Sequence, residues 1–346
     1  MKVGRQWHCV REVFGSVTMK QIIMEGPRQS RIVEVPMPQI NDNQLLVKVI
    51  YTGMCHSEFY PWTAAKKGDV FGHETVGIIE KIGKNVAGFS VGDRVTGLGG
   101  GGYKEYIVME PQKAVKVPEN LATEDAIAEP LACIMSVAER IDSGKIGDRI
   151  AVVGCGYMGL GLISLLKARG YADIIAVDKR PIALENAKKF GATETYLPEE
   201  LPENYKLNWD NWSKPDLTRD GHKTDIFHTG FQTVVEFTGT EDGLALAADM
   251  VCAHGTLGIA GYHNDGVRTL DFKLINMKAV NIQNCHERRI DYEATLAARA
   301  LKLLASGQWR FTGVTNHIYS AQEFDRANMD MDSRRDNLIT GAVTFI

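Results

Sequence analysis

The chain has 346 residues, 44% hydrophobic and 24% charged, and this length suggests about two globular domains at ~150 residues each. The formal charge is −4, so the chain has no basic field for a nucleic-acid backbone or an anionic membrane surface. Six scattered cysteines without a CxxC pair are typical of a reducing compartment, and we predict a cytoplasmic protein.

The uncharged run at 150–166 is interrupted by glycines and is shorter than the ~20 apolar residues that a membrane-spanning helix needs. Residues 1–18 lack the continuous apolar region of a signal peptide. A second methionine, Met19, opens the next segment, so 1–18 is a possible extension outside the fold.

Short β-rich runs between turn signals extend from Lys20 to about Lys116 and predict an all-β, barrel-like module. These runs are RIVEVPMP, QLLVKVIYTGMC, TVGIIEKIG, DRVTG and KEYIVME. From about Leu121 to Asn284 the pattern changes to strand, glycine-rich turn and helix, repeated. That alternation predicts an α/β region with a doubly wound parallel sheet. The tail adds a helical pattern, DYEATLAARALKLLASG, and a last β-like run, ITGAVTFI. The segment 197–231 has no clear period and is interpreted as a surface excursion.

A glycine-rich turn, Gly154-Cys155-Gly156-Tyr157-Met158-Gly159, directly follows the β-run IAVV and opens a helix. Gly154 permits a tight turn, Gly156 lets the backbone approach a pyrophosphate, and Gly159 allows close packing of helix on strand. The helix N-terminus offers unpaired N–H groups to an anion. A glycine-rich turn without a ligand is the alternative.

Asp178 ends the next predicted strand, 19 positions after Gly159. A carboxylate at this point accepts hydrogen bonds from an adenosine ribose and repels a 2′-phosphate, which favours NAD over NADP. Lys179 and Arg180 follow at once and weaken that preference.

Two further motifs carry metal-binding residue types. Cys55-His56-Ser57-Glu58 stands at a predicted strand end, and Gly72-His73-Glu74-Thr75-Val76-Gly77 follows. Thiolate and imidazole are ligands that Zn²⁺ prefers, and a catalytic site adds one or two more protein ligands. The alternative for an isolated cysteine or histidine is a core residue.

These motifs occur in order with Gly92-Asp93-Arg94-Val95, then Glu129-Pro130-Leu131-Ala132, then GxGxxG. From Met19 to Ile346 the chain resembles the zinc-dependent medium-chain alcohol and polyol dehydrogenases. The resemblance implies a GroES-like, β-barrel-type catalytic domain over 1–130 and 288–346, and a Rossmann NAD-binding domain over 131–287.

The resemblance also implies the zinc ligands. Cys55 and His73 match the family's catalytic ligands, and Glu74 matches the adjacent carboxylate that binds zinc directly or in alternation with solvent. Glu129 stands where sorbitol-dehydrogenase-like members have a glutamate ligand. Cys133, four residues later, is the rival candidate for that position.

Other roles follow from the same resemblance. Ser57 matches the hydroxyl that bonds the substrate alcohol and passes on its proton, and Glu58 matches the carboxylate that orients a ligating imidazole, as expected for a metal-bound histidine. His56 stands where some members place a basic residue near the pyrophosphate. The carboxamide and strand-end contacts of the cofactor fall on Thr238, Gly239, Ile259 and Gly261.

The chain departs from the family pattern in two places. Tyr60 stands where classical alcohol dehydrogenases have a relay histidine, which puts the outer proton path in doubt. The four-cysteine structural-zinc lobe is replaced by TGLGGGG, so we predict one zinc per chain. Cys9, Cys155, Cys252 and Cys285 are interpreted as bystanders.

Three aromatic residues past the ligand cysteine, Phe59, Tyr60 and Trp62, are candidates for a substrate pocket; core packing is the alternative. With Glu129 and the missing lobe they favour a secondary alcohol of polyol or sugar type. An L-threonine 3-dehydrogenase-like oxidation is the nearest rival, followed by a zinc-free, NADPH-dependent quinone-type reductase and a catalytically idle nucleotide-binding protein. The family's edge-to-edge assembly implies a homodimer or homotetramer.

Overall fold

The computed structural model describes residues 17–99, 101–141, 149–212, 218–219, 222–223 and 229–346. Cys9 and most of the predicted extension at 1–18 lie outside this part of the chain. The first strand begins at Thr18, so Met19 is already part of a β-hairpin.

Seventeen strands occur in the described residues. They are β1 Thr18–Gly26, β2 Gln29–Pro36, β3 Leu45–Gly53, β4 Glu74–Ile82, β5 Arg94–Leu98, β6 Tyr106–Met109, β7 Ala114–Lys116, β8 Ile150–Val153, β9 Ile174–Val177, β10 Glu194–Tyr196, β11 Thr218–Arg219, β12 His222–Lys223, β13 Phe231–Glu236, β14 Val251–Ile259, β15 Asn281–Asn284, β16 Thr315–Ser320 and β17 Thr340–Thr344.

Eight α-helices occur in the same residues. They are α1 Phe59–Thr63, α2 Ala128–Arg140, α3 Tyr157–Ala168, α4 Pro181–Phe190, α5 Glu241–Met250, α6 Phe272–Lys278, α7 Ile290–Ala305 and α8 Phe324–Ser333.

The β-rich region forms a seven-stranded sheet in the order β16-β17-β3-β4-β5-β7, with β6 paired to β3. Strands β3 and β4 are antiparallel, with Thr52 opposite Thr75, so the end of β3 lies beside the start of β4. The tail strand β17 pairs with the same end of β3. This register brings together chain segments that lie about 20 and about 290 residues apart.

The second sheet has the order β10-β9-β8-β13-β14-β15, and every pair in it is parallel. This confirms the predicted doubly wound α/β region. Strands β8 and β9 are buried along their whole length, as expected when helices cover both faces of a parallel sheet. In such sheets ligands bind beyond the carboxyl ends of the strands, where the strand order reverses between β8 and β13.

Helix boundaries follow local sequence. Helix α4 has Pro181 at its first position, and Gly191, in the left-handed region with φ 114°, caps its C-terminus. The side chain of Thr240 caps α5 by accepting from the Gly243 N–H. None of the helices in the described residues is both long enough and apolar enough to cross a lipid bilayer.

The irregular segment after β10 is partly described. Tyr205 and Leu207 are buried against the parallel sheet region. The fully buried Lys278 ammonium donates to the carbonyls of Leu207 and Ala248 at 2.8 and 2.6 Å, which fastens the segment to the ends of α5 and α6. The predicted surface excursion is therefore anchored to the core over its first part.

Candidate functional site

The side chains that could bind a metal ion lie close together where β3 ends and β4 begins. Cys55, His73 and Glu74 each present a ligand atom, and these atoms lie within 4.8 Å of one another. Gly53 makes room for this arrangement, since a Cβ at that position would overlap the Glu74 carboxylate. One sulfur, one nitrogen and one oxygen donor, close together and largely buried, fit a zinc ion.

The carboxylate of Glu58 orients the histidine. Its Oε1 accepts from the Gly72 N–H at 2.8 Å and lies 2.7 Å from His73 Nδ1. The Tyr103 hydroxyl donates to Glu58 Oε2 at 3.2 Å. Because Nδ1 is held in this way, Nε2 of His73 is left to face Glu74, 3.8 Å away. This is the carboxylate–imidazole arrangement expected behind a ligating histidine.

Burial and mutual repulsion dominate the electrostatics of these donors. Burial, reinforced by the Glu74 carboxylate, raises the pKa of the Cys55 thiol to about 11. Burial and the nearby Glu129 carboxylate raise the pKa of Glu74. Burial opposes protonation of His73, but hydrogen bonds to Cys55 and Glu58 raise its pKa to about 12. Each of the three donors therefore retains a proton more readily than usual, and a divalent cation that replaces these protons would offset the repulsion between the buried carboxylates.

Glu129 lies on the first turn of α2 and is not part of the three-residue donor group. Its Oε1 accepts from the Cys133 thiol, with 3.8 Å between sulfur and oxygen. The two candidates for a further ligand therefore contact each other on one face of α2. The Glu129 carboxylate is close enough to raise the pKa of Glu74. Since Glu129 is not one of the three clustered donors, its role as a zinc ligand stays a prediction.

The glycine-rich turn has the geometry of an anion cradle. Gly154 has φ 97°, a conformation that favours glycine. At Gly159 a Cβ would overlap the Gly154 carbonyl oxygen. At Gly156 a Cβ would meet nothing within 4 Å, so open space faces the N-terminus of α3. The residues present fit the pyrophosphate of a dinucleotide.

Asp178 follows β9 beside this turn and is buried. Its carboxylate accepts from the Cys155 N–H at 2.8 Å and from the Arg180 N–H at 2.9 Å. The Arg180 guanidinium donates to it as well, at 3.1 and 3.2 Å. A ribose at this point has to share the carboxylate with Arg180, whereas Lys179 is exposed.

Two family models match the chain. The "Alcohol dehydrogenase GroES-like domain" model covers residues 41–119, and the "Zinc-binding dehydrogenase" model covers residues 158–306. The chain belongs to the zinc-binding medium-chain dehydrogenase family.

Relatives of this chain include proteins that are named as polyol dehydrogenases. The chain is 31% identical to a sorbitol dehydrogenase of Bacillus subtilis over 212 residues, which are 51% of this chain and 60% of that one, so the match spans less than two thirds of the relative. It is 27% identical to D-arabinitol dehydrogenase 1 of Uromyces fabae over 92% of this chain and 95% of that one. The fold is similar to that of 2R,3R-butanediol dehydrogenase from Bacillus subtilis, with TM-score 0.76, 20% identity, and coverage of 94% and 99%.

The predicted proton-transfer residue, Ser57, lies at the donor cluster. The Ser57 hydroxyl donates to Cys55 Sγ at 3.0 Å, and the Ser57 carbonyl oxygen accepts from Asn264 Nδ2 at 2.9 Å. Asn264 follows β14, so this bond joins the β-rich region to the carboxyl edge of the parallel sheet. Ser57 thus stands between the metal donors and the predicted cofactor edge.

The three aromatic candidates have different surroundings. Tyr60 is half exposed. Phe59 stacks on His56 with ring centroids 5.4 Å apart. Trp62 is 1% exposed, and its indole N–H donates to Asp325 of α8 at 2.9 Å. The ring of Trp62 is therefore core, in contrast to the predicted role at the substrate.

The cleft beside the glycine-rich turn also contains a residue that sequence reasoning missed. Arg334, in the left-handed region just after α8, lines it together with Gly156 and Arg180. Burial and the positive charge of Arg180 lower the pKa of Arg334. His56 lies on the same side, with Nε2 3.6 Å from Asp332, and burial and Arg334 lower its pKa.

A second residue that sequence reasoning missed is the buried carboxylate of Glu236, which lies among the predicted cofactor contacts at the sheet edge. Glu236, the last residue of β13, accepts from the Thr238 hydroxyl and the Gly239 N–H at 2.5 and 2.8 Å. Its Oε2 lies 3.0 Å from His263 Nε2. At Gly261, a Cβ would meet Glu236 and Gly239. Ile259 ends β14 beside them.

The remaining two predicted cofactor contacts, Tyr157 and Met158, lie on the first turn of α3. Tyr157 is half buried, with its ring centroid 5.2 Å from that of Phe311. Met158 is half buried and packs against the large core cluster. Both side chains pack against the core next to the glycine-rich turn, so they help to hold this turn in place.

Proposed function

We propose that this protein is a zinc- and NAD-dependent oxidoreductase that transfers a hydride between the cofactor and a secondary alcohol of polyol or sugar type, which is converted to a ketone. The observation that carries the proposal is the cluster of Cys55, His73 and Glu74, with the Ser57 hydroxyl bonded to it. The Ser57 carbonyl oxygen accepts from Asn264, which follows β14, so the segment next to this cluster contacts the carboxyl edge of the parallel sheet.

The donor set holds the metal and Ser57 handles the proton. Zinc bound by Cys55, His73 and Glu74 would supply a Lewis acid that lowers the pKa of the substrate hydroxyl. Glu58 fixes the ring of His73 so that Nε2 points to the metal position. The Ser57 hydroxyl would accept a hydrogen bond from the substrate hydroxyl and relay the proton, taking it up while its own proton passes on toward the cofactor ribose. Glu129, on α2, is proposed as a further ligand.

The parallel sheet holds the cofactor. NAD would supply the hydride acceptor, C4 of its nicotinamide ring. The α3 N-terminus and Gly156 bind the pyrophosphate, with Arg334 adding positive charge from the other side of the cleft. The nicotinamide end would lie at the sheet edge around Gly239 and Gly261, where the absence of a Cβ lets the two strand-end segments pack closely together.

Substrate class rests on the relatives named above and on the half-exposed Tyr60. Sugars and polyols present C–H faces that pack on aromatic rings, and their hydroxyls bond to polar side chains. Assembly as a homodimer or homotetramer belongs to the same proposal. Strand β15 is the outer strand of its sheet among the described residues, and Ile282 is exposed on it.

A substrate panel tests the reaction. Zinc-loaded protein with NAD is expected to reduce the cofactor with sorbitol, xylitol and D-arabinitol, measured by absorbance at ~340 nm, and to turn over L-threonine poorly. Metal content per chain is measured on the same samples. Undiminished activity after complete zinc removal contradicts the proposal and favours a metal-free reductase. Preference for L-threonine over every polyol contradicts the substrate class.

Asp178 is expected to set the cofactor preference. In Asp178→Asn the charge that repels a 2′-phosphate is gone and the bonds to the ribose weaken, so the Kd for NADH rises about tenfold while the gap to NADPH narrows. Fluorescence titration with each dinucleotide measures both values without turnover. Glu185→Gln, an exposed change on α4, is the control and leaves both affinities unchanged. Equal affinity of the unmodified protein for NADH and NADPH contradicts this assignment.

A further inference from the structure

The loop after β14 contains a histidine, His263, that lies between two charged side chains and is not assigned to metal, cofactor or substrate. On one side its Nε2 lies 3.0 Å from Oε2 of Glu236, a carboxylate that is 0% exposed. On the other side its Nδ1 lies 3.0 Å from Nε of Arg268. The imidazole is only 14% exposed, so both contacts are largely shielded from water.

These two contacts define the tautomer of the His263 ring. A guanidinium has no acceptor, so Nε of Arg268 donates and Nδ1 of His263 is the unprotonated nitrogen that accepts. The proton of the neutral ring is then on Nε2, which donates to the Glu236 carboxylate. A second proton on Nδ1 would remove the bond to Arg268 and place two positive charges side by side. His263 is therefore held as one tautomer of the neutral imidazole.

The hydrogen bonds of Glu236 and Arg268 meet again at Gly239 and so form a closed ring. The Gly239 N–H donates to Glu236 Oε1 at 2.8 Å, and the Gly239 carbonyl oxygen accepts from the Arg268 guanidinium at 2.9 Å. A Cβ at Gly261 would lie 2.5 Å from the Gly239 nitrogen, so the two strand-end segments are in close contact. The ring therefore fastens the loop after β14 to the end of β13.

Asn264, the residue after His263, connects this loop to the donor cluster. Its backbone N–H donates to the Tyr262 carbonyl oxygen at 3.1 Å, which keeps the loop tight. Its side-chain Nδ2 donates to the Ser57 carbonyl oxygen at 2.9 Å, across 207 positions of sequence. The Ser57 hydroxyl in turn donates to Cys55 Sγ at 3.0 Å. A series of contacts thus connects the ring of hydrogen bonds with the metal donors.

We propose that His263 is a positioning residue, which acts through Asn264 to set the distance between the cofactor edge of the sheet and the segment that contains Ser57. This inference rests on the proposed function. Hydride transfer needs the donor and acceptor carbons in contact, and a displacement of ~1 Å can cost about 10²-fold in rate. A neutral ring with one donor and one acceptor joins a carboxylate to a guanidinium without adding a charge. The effect of losing it is therefore on kcat, with zinc and cofactor still bound.

Single substitutions test each end of this connection, with sorbitol and NAD. In Asn264→Ala and in His263→Leu, kcat is expected to fall about tenfold, the value of one hydrogen bond that positions the site. His263→Gln keeps one donor and one acceptor, and its kcat is expected to stay within about threefold of the unmodified protein. Zinc content and the Kd for NADH, measured by fluorescence, are expected to be unchanged in Asn264→Ala. Asn276→Ala, at an exposed asparagine of α6, is the matched control.

The double variant with both His263→Leu and Asn264→Ala separates positioning from a merely structural role. If His263 acts through Asn264, either substitution breaks the same connection, so the double variant is expected to lose about tenfold in kcat. Two independent effects would instead multiply to about 100-fold. Asn264 is exposed, so its replacement is expected to leave folding intact even if His263→Leu is unstable.

The outcomes separate this inference from the function it rests on. An unchanged kcat in Asn264→Ala, or multiplied losses in the double variant, overturns the inference and leaves the proposed function standing. A His263→Gln protein as impaired as His263→Leu overturns it as well, since the donor and acceptor would then not matter. Failure of the unmodified, zinc-loaded protein with every alcohol overturns both.

Discussion

Protein with Cys55→Ser, purified without chelator, is expected to contain no bound zinc, in contrast to one zinc per chain in the unmodified protein. The thiolate is the softest donor of the cluster, and the serine hydroxyl that replaces it remains protonated and binds zinc weakly. Because a Lewis-acid metal contributes several kcal/mol to the transition state, kcat/KM for sorbitol is expected to fall about 10³-fold. Metal analysis and initial rates on one preparation measure both effects.

Ser57→Ala is the matched variant that separates metal binding from proton transfer. It removes the hydroxyl that donates to Cys55 Sγ but none of the three donor atoms. We expect full zinc content and a 10²- to 10⁴-fold lower kcat, the usual contribution of general acid–base catalysis. Active, zinc-free Cys55→Ser protein would show that the cluster is not the catalytic centre. Unimpaired turnover by Ser57→Ala would remove this residue from the proton path.

The metal cluster could be predicted from sequence because its members are encoded locally and joined by one strand pairing. Cys55 and Ser57 follow the end of β3, and His73 and Glu74 stand at the start of β4. The antiparallel register, with Thr52 opposite Thr75, brings the two short motifs together. The glycine-rich turn is predictable for a similar reason, since strand, turn and helix are consecutive and Asp178 directly follows the adjacent parallel strand β9.

Residues that reach the cleft from the distant tail could not be predicted in this way. Arg334 comes to the cleft because the strand β17 that follows it pairs with β3, and no local pattern encodes that contact. Trp62 is the opposite case, because a local pattern suggested a pocket residue and a distant contact places it in the core. Its spacing from Cys55 suits a pocket residue, but an acceptor 263 positions away, Asp325, holds its indole N–H in the core.

One buried carboxylate, that of Glu287, holds the turn between β15 and α7. Glu287 accepts from two backbone N–H groups and from the guanidinium groups of Arg140 and Arg289, the latter two at 3.0 and 2.8 Å. These bonds lower the pKa of Glu287 below its ordinary range. In Glu287→Gln the side chain is neutral and leaves Arg140 unpaired. We expect a loss of about 2–4 kcal/mol in the free energy of unfolding at pH 7.

The pH dependence of this loss distinguishes a charge effect from a simple packing defect. Because the folded-state pKa of Glu287 is depressed, its contribution to stability is complete above the unfolded-state value of about 4.5 and is lost as the pH falls. Urea titrations of both proteins are therefore expected to converge as the pH is lowered below about 4.5. Glu139→Gln, at a more exposed α2–α7 carboxylate that bonds Arg299, is the control and costs under about 1 kcal/mol. A difference between Glu287→Gln and the unmodified protein that stays constant from pH 7 to pH 3.5 would assign the loss to packing, and the ion pairs would then contribute little to the turn.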